Sequence, residues 1–519
     1  MQVISADQAA ALIRDEWTIT IAGFAQCCGP ESILEAMERR FESTGHPRDL
    51  SLIFGSACGD SVSQGLNRLA RPGLVKQGIG NQWTCAPRLG DLAADHAVRL
   101  ETWPLSVIGG WYQSLAEGRS QVLSGAGLGT FIDPQAQDPV AASDPHRPQV
   151  MRQSGLDRPT LSYRSEPVRA ALLRGTRSDP HGNITMEREV GLQDQLAQAQ
   201  AVRSCGGVVI VQVLEITHHD ALDPRAVHLP AHLVDYVVRA DPKLHRQTYG
   251  VSYSPTLSGE WHGAAGFPSG PQQDGPSHSE GLDEVWRVIT RRAALEVLEA
   301  TQASDRRRPL LLHAGAGLPE QVPRELHQGH RYNDPRFIWT LESGVVGGMP
   351  IGGSSSGASA DPTTFLQASV PLRRGGGRGV DMALLGFGAI DRQGRVDVAH
   401  PNEAFLGVGS LIDTAPQADR LVLLGTFSTG GHPRFVDRVT RLCLDAVRGA
   451  SDERPLVITE LGVFRLDRGE LILIEVAPGV DVQADIVARS GCPIRTIDAP
   501  RPMPAQVFGH KAIDWPFVT

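Results

Sequence analysis

The sequence predicts an α/β protein made of two tandem, related open domains with mostly parallel sheets. Short β-branched runs alternate with glycine turns and helical segments, the order that builds parallel βαβ units. The second half repeats landmarks of the first at matching spacings. Residues 252–282 between them are rich in Gly, Pro and Ser without apolar periodicity, which divides the chain into domains 1–251 and 283–519. A chain of 519 residues is also too long for a single core.

Ser5, with Gln8 three residues on, caps a first helix. The strand Trp17 to Ala22 follows, then the turn Gly23 to Pro30 and the helix Glu31 to Phe41, whose N-terminus can hold an anion. Similar units follow at Leu50 to Phe54 and at Gly73 to Gly80, and a helix lies around Leu115. The glycines from Gly125 to Gly129 partly mimic a dinucleotide fingerprint, but Asp133-Pro134 interrupts the helix that fingerprint needs. Gln135 to Pro159 reads as an exposed excursion. Ala170 to Gly175 is a strand, Asp179-Pro-His-Gly-Asn183 a turn, Gln193 to Ala201 a helix, and Gly206 to Val213 a buried parallel strand. The second half opens with the helix Asp283 to Gln302, whose Val285, Val288, Ile289, Ala293, Leu295 and Leu298 form an apolar stripe.

The repeat is visible residue by residue. Arg308 to Glu320, with Gly315, Gly317 and Pro319, parallels Thr18 to Glu31. Met382 to Val396 lies without a gap on Ala170 to Ile184, which sets Asp391 on Asp179 and Gly394 on Gly182. Leu421 to Gly425 answers the strand at Val208. Laying Leu123-Ser-Gly on Glu342-Ser-Gly puts a leucine where the second copy has a carboxylate.

Charge and composition exclude several function classes. The formal charge of −9 is spread along the chain with no basic run for a phosphate backbone, so nucleic acid is not a partner. The seven cysteines show no CxxC spacing and read as free thiols. The N-terminus lacks a signal-peptide pattern and no window has the apolar length of a membrane span, which points to the cytoplasm. No metal is expected: His218-His219-Asp220 lacks a third ligand at helical spacing, and a solvated loop explains it.

The stretch that bears chemistry is Phe337 to Gly353. An apolar strand delivers Glu342, and five glycines lie in the ten residues from Gly344 to Gly353. A carboxylate between a buried strand and a glycine loop needs a partner or a use, and a nucleophile is one such use; a helix cap or core salt bridge is the other reading. A carboxylate required by the fold would appear in both copies, and the repeat shows it in one.

Glu342-Ser-Gly-Val-Val-Gly-Gly-Met-Pro, Gly315-Ala-Gly-Leu-Pro, Gly407-Val-Gly-Ser-Leu-Ile-Asp, Gly425-Thr-Phe-Ser-Thr-Gly-Gly and Ala477-Pro-Gly-Val-Asp-Val resemble blocks of the class I CoA-transferases. The first half adds Gly129-Thr-Phe-Ile-Asp-Pro, Arg174-Gly-Thr and Asp179-Pro-His-Gly-Asn, so the resemblance spans nearly the whole chain. It is closest to the single-chain branch that handles acetate, propionate and acetoacetate, on a fold shared with sugar-phosphate isomerases. The resemblance implies ping-pong transfer of CoA between an acyl-CoA and a small carboxylic acid through a glutamyl-CoA thioester on Glu342. It implies CoA as substrate and no permanently bound cofactor, a homodimer or homotetramer, and the backbone N–H of Gly409 as oxyanion donor, with Gly407 as rival. Gly129, Gly347, Gly407, Gly425 and Phe427 are implied on the substrate side.

One departure stands out. The family carries a Pro-Gln-Gly turn whose glutamine lines the acyl pocket; here the matching turn reads Trp103-Pro-Leu105-Ser-Val, and the Leu105 side chain donates no hydrogen bond. Asn81-Gln82-Trp83 offers a substitute amide. Two other functions stay open: an acyl-CoA hydrolase using the same glutamate, and a non-catalytic binding protein. Arg306-Arg307-Arg308 suits a helix C-terminus, with CoA phosphates as the alternative.

Overall fold

The structure, a computed structural model, describes residues 1–136, 150–153, 158–218, 222–260, 280–303, 308–326, 334–368, 379–400, 407–449, 454–511 and 513. The first half centres on one sheet whose strands run Gln2–Ile4, Tyr236–Arg239, Val208–Ile216, Ala170–Ser178, Thr18–Ile21, Leu50–Ile53, Val75–Gly80 and Arg99–Thr102. All neighbours along this path are parallel. The second half has the same centre: Leu456–Ile458, Arg420–Leu424, Met382–Gly386, Leu310–Ala314 and Phe337–Thr340, again parallel. Position by position, five strands of one sheet match five of the other, so the duplication holds in topology.

It also holds in detail. Asp179 Oδ1 accepts from the N–H groups of His181, Gly182 and Asn183, and Asp391 Oδ1 accepts from those of Gln393 and Arg395. One aspartate pins the same turn in both copies. The match of Leu123 with Glu342 is corrected. Gln121–Ser124 lies in a separate antiparallel sheet of three strands, whereas Glu342 follows a strand of the main sheet whose counterpart is Leu50–Ile53. Three residues were too few to fix the register. Gly55 and Ser56, which follow that counterpart, bear no carboxylate either.

The second sheet is more mixed than expected. Gly462–Asp467 and Glu470–Val476 join it as an antiparallel hairpin, closed by Arg468 and Gly469 at φ +49° and +84°. Ser5 caps the helix Ala6–Leu12 with both bonds of a capping box. The N-terminus of the helix Glu31–Thr44 is filled from within the protein: the Ser32 N–H donates to Gln212 Oε1 at 2.8 Å, and Glu31 pairs with Arg68 at 2.6 Å. Part of the expected linker is packed, since the Asp361 N–H donates to the Thr256 carbonyl; residues 261–279 lie outside the described residues, as do Arg306, Arg307, His219 and Asp220.

The halves meet along a seam that the backbone closes. Val408 N–H donates to the Asn81 carbonyl at 2.9 Å, and Gln26 N–H to the Ser356 carbonyl at 3.1 Å. Leu105 N–H, at the start of the helix Leu105–Ala116, donates to Asp413 Oδ2 at 2.7 Å.

Candidate active site

Glu342 stands on that seam. The strand Phe337–Thr340 is held by parallel pairing with Leu310–Ala314, and beyond it Leu341 N–H donates to the Val345 carbonyl while Gly344 N–H donates to that of Leu341. Gly344 has φ +88°, and a Cβ there would lie 2.2 Å from the Leu366 carbonyl oxygen, so the turn that presents Glu342 requires glycine.

The opposite wall is the turn Gly407 to Leu411, fastened from the first domain. Asn81 Nδ2 donates to the Gly409 carbonyl at 3.1 Å, beside the Val408–Asn81 bond. Gly409, at φ +54°, lets this wall approach the carboxylate: its Cβ would lie 3.4 Å from Glu342 Oε1 and 3.2 Å from Gln82 Oε1. Ser410 then supplies two donors to one oxygen, its N–H at 2.9 Å and its Oγ at 2.5 Å from Glu342 Oε1. Oε2 is buried and has no hydrogen-bond partner among the described residues.

That environment sets the charge. Part of Glu342 still borders open cavity, but the carboxylate is desolvated, and burial pushes its pKa up to about 7 against the two Ser410 hydrogen bonds, which lower it. The carboxylates of Glu320 and Asp413 raise it further. Glu320 is itself buried, accepting from the N–H groups of Gly317 and Gly357 and the Ser356 hydroxyl, and burial raises its pKa. An acid poised near neutrality carries an appreciable fraction of nucleophilic carboxylate at neutral pH.

Glu342 lines two sizeable cavities and a third of about 10 Å3. The larger, about 850 Å3, is lined from both halves, by Gln26, Gln82 and Cys85 on one side and Gly317, Arg324 and Phe387 on the other. Its volume falls within the ~300–1,000 Å3 of ordinary ligand sites. The smaller, about 80 Å3, is bounded by Leu105, His313, Leu341 and Asp413. Burial pushes the His313 pKa down to about 4, so that imidazole is neutral.

The chain matches the Coenzyme A transferase family over residues 3–240. A caffeate CoA-transferase of Acetobacterium woodii is 30% identical over 512 residues, which cover 93% of each chain. The chain belongs to the coenzyme A transferase family. The acetate CoA-transferase YdiF of Escherichia coli O157:H7 is 28% identical over 506 residues, 93% of this chain and 91% of that one. A crystal structure of the acyl-CoA transferase YdiF from that organism, in a thioester complex with CoA, superimposes with a TM-score of 0.83 at 26% identity, covering 98% of this chain and 96% of that one.

Of the residues singled out in the sequence of this CoA-transferase, Glu342, Gly407 and Gly409 meet on the larger cavity, and Leu105 lines the smaller with Glu342. The amide bonded to Glu342 is that of Ser410, one residue past Gly409. Gly129, Gly347, Gly425 and Phe427 line neither cavity. Gly129 N–H donates to Asp133, and Gly347 N–H to the Trp339 carbonyl. Gly425 packs beneath Phe387, which is in the cavity wall, and Phe427 is buried against Phe435 and Phe464. Gln82 does reach the site, beside Gly409. Sequence reasoning gave no role to Ser410, Glu320, Asp413 or His313. Glu320 had a signal, since it follows Gly317 at capping-box spacing; Ser410 and Asp413 sat in the Gly407–Asp413 block without a role of their own, and His313 had no signal.

Proposed function

We propose that this transferase moves CoA between an acyl-CoA and a small carboxylic acid through a glutamyl-CoA thioester on Glu342. The supporting observation is the asymmetric carboxylate: Oε1 is held by two donors and Oε2 is buried and bare. Oε2 attacks the thioester carbonyl, and CoA leaves as thiolate from a mixed anhydride. The thiolate attacks the glutamyl carbon and expels the first acid; the second acid then reverses both steps. The acetate CoA-transferase activity for which YdiF is named and the small cavity bounded by Leu105 and Leu341 support a short acyl group.

Steady-state kinetics test the reading. With an acyl-CoA and a panel of short acids, parallel double-reciprocal lines and CoA transfer that depends on the acceptor are expected. Release of free CoA at the same rate without an acid would make the protein a hydrolase.

A further inference from the structure

Ser410 is not explained by the fold alone. The turn Gly409–Leu411 is already fixed by Asn81 on one side and by Thr414 N–H donating to the Ser410 carbonyl at 2.8 Å on the other. Its hydroxyl nevertheless points at the oxygen that its own N–H already serves. Two donors on one oxygen, with the other bare, differentiate the two oxygens of Glu342: Oε1 is held in place, and the lone pairs of Oε2 are not engaged by a donor.

We propose that the Ser410 hydroxyl is a catalytic group, forming with the Ser410 N–H a two-donor cradle for Glu342 Oε1 that stabilises the oxyanion each time the glutamyl carbon is attacked. The proposal rests on Glu342 being the nucleophile. When Oε2 bonds to the acyl carbon and the C–S bond breaks, Oε1 becomes the carbonyl oxygen of the glutamyl half of the anhydride. Thiolate attack on the glutamyl carbon forms the new C–S bond and moves the carbonyl electron pair onto Oε1, toward both donors. Collapse returns the pair, and the bond to Oε2 breaks as the first acid leaves as a carboxylate. The acceptor acid attacks the same carbon, charge again falls on Oε1, and CoA leaves as thiolate. Donors fixed before charge develops need no reorganisation, which is what makes such a cradle effective.

Two variants and a spectroscopic readout test this. Ser410→Ala keeps the N–H and loses the hydroxyl; kcat should fall about 10²-fold with a much smaller change in KM for acyl-CoA, and Ser410→Thr should recover most of the loss. In enzyme labelled with 13C-glutamate and held as glutamyl-CoA, isotope-edited infrared difference spectra should show the thioester carbonyl stretch at higher frequency in Ser410→Ala than in the wild type. The acidic limb of the kcat/KM profile should also move to higher pH, since a bond that favours the carboxylate is gone. Wild-type kcat or an unmoved carbonyl band in Ser410→Ala would overturn the role of the hydroxyl while leaving Glu342 in place. Absence of any CoA adduct on Glu342 in the wild type would overturn the underlying mechanism instead.

Discussion

Replacing Glu342 by glutamine removes a carboxylate whose ionisation the fold resists, and the consequence for stability can be worked out with its sign. An unperturbed glutamate titrates near 4.5 and this one near 7. Because the folded-state value is raised, the native chain holds the proton more tightly than the unfolded chain, and stability falls as pH rises from 4.5 through 7. At about 1.36 kcal/mol per pH unit the full loss, reached above pH 7, is about 3.4 kcal/mol. By pH 5 only about 0.8 kcal/mol of it has appeared, leaving about 2.5 kcal/mol between pH 5 and pH 8. Glu342 borders open cavity, so screening reduces this to about 2 kcal/mol. Glutamine does not titrate, and its unpaired amide in the place of Oε2 costs the same at both pH values. Calorimetry at pH 5 and pH 8 should therefore show the Tm of Glu342→Gln gaining about 2–4 °C on the wild type between the two conditions. An equal Tm difference at both pH values, or a larger advantage at pH 5, would refute the argument.

In the proposed mechanism the same titration governs rate. Transfer should rise with pH through about 7 as Glu342 ionises, and Glu320→Gln, which removes a neighbouring negative charge, should move that limb to lower pH in a kcat/KM profile. Gly409→Ala should lower kcat at least about tenfold by pushing a methyl toward Glu342 Oε1 and Gln82; Gly430→Ala, at φ +53° with open space around it, adds similar backbone strain and should leave kcat unchanged. Arg174 is buried, pairs with Glu189 at 2.7 Å and donates to the carbonyls of Cys28, Gly29 and Arg246; Arg174→Met should destabilise the protein by about 3–5 kcal/mol in urea unfolding, since Glu189 loses its guanidinium partner.

Much of the fold was legible because local chemistry and tertiary placement agree. Ser5 and Gln8 formed the cap their spacing implied, and the β-branched runs at Thr18 and Val208 and the leucine-rich run at Leu421 became parallel core strands. Asp179 and Asp391 showed the duplication because each satisfies a turn with its own side chain. The Leu123 register failed because a three-residue match carries no hydrophobic period, and only the sheet order places Leu50–Ile53 opposite Phe337–Thr340. Glu342 was visible as a charge where a buried strand runs into glycines. Ser410, Asp413 and His313 were not, since their importance comes from atoms distant in sequence: Ser410 meets Glu342 across 68 positions, and Asp413 meets Leu105 across 308. Gly425 and Phe427 sat in a motif beside the cavity, and that motif does not reveal which of its residues face inward.

In the proposed mechanism CoA becomes covalently attached to Glu342. Intact mass of the purified protein after incubation with acetyl-, propionyl- and succinyl-CoA, followed by peptide mapping, tests it most directly. A CoA-sized adduct is expected on the peptide containing Glu342, absent from Glu342→Ala and discharged by a carboxylic acid that accepts the CoA. Acyl-CoA consumption without an adduct on Glu342, or undiminished transfer by Glu342→Ala, would contradict it.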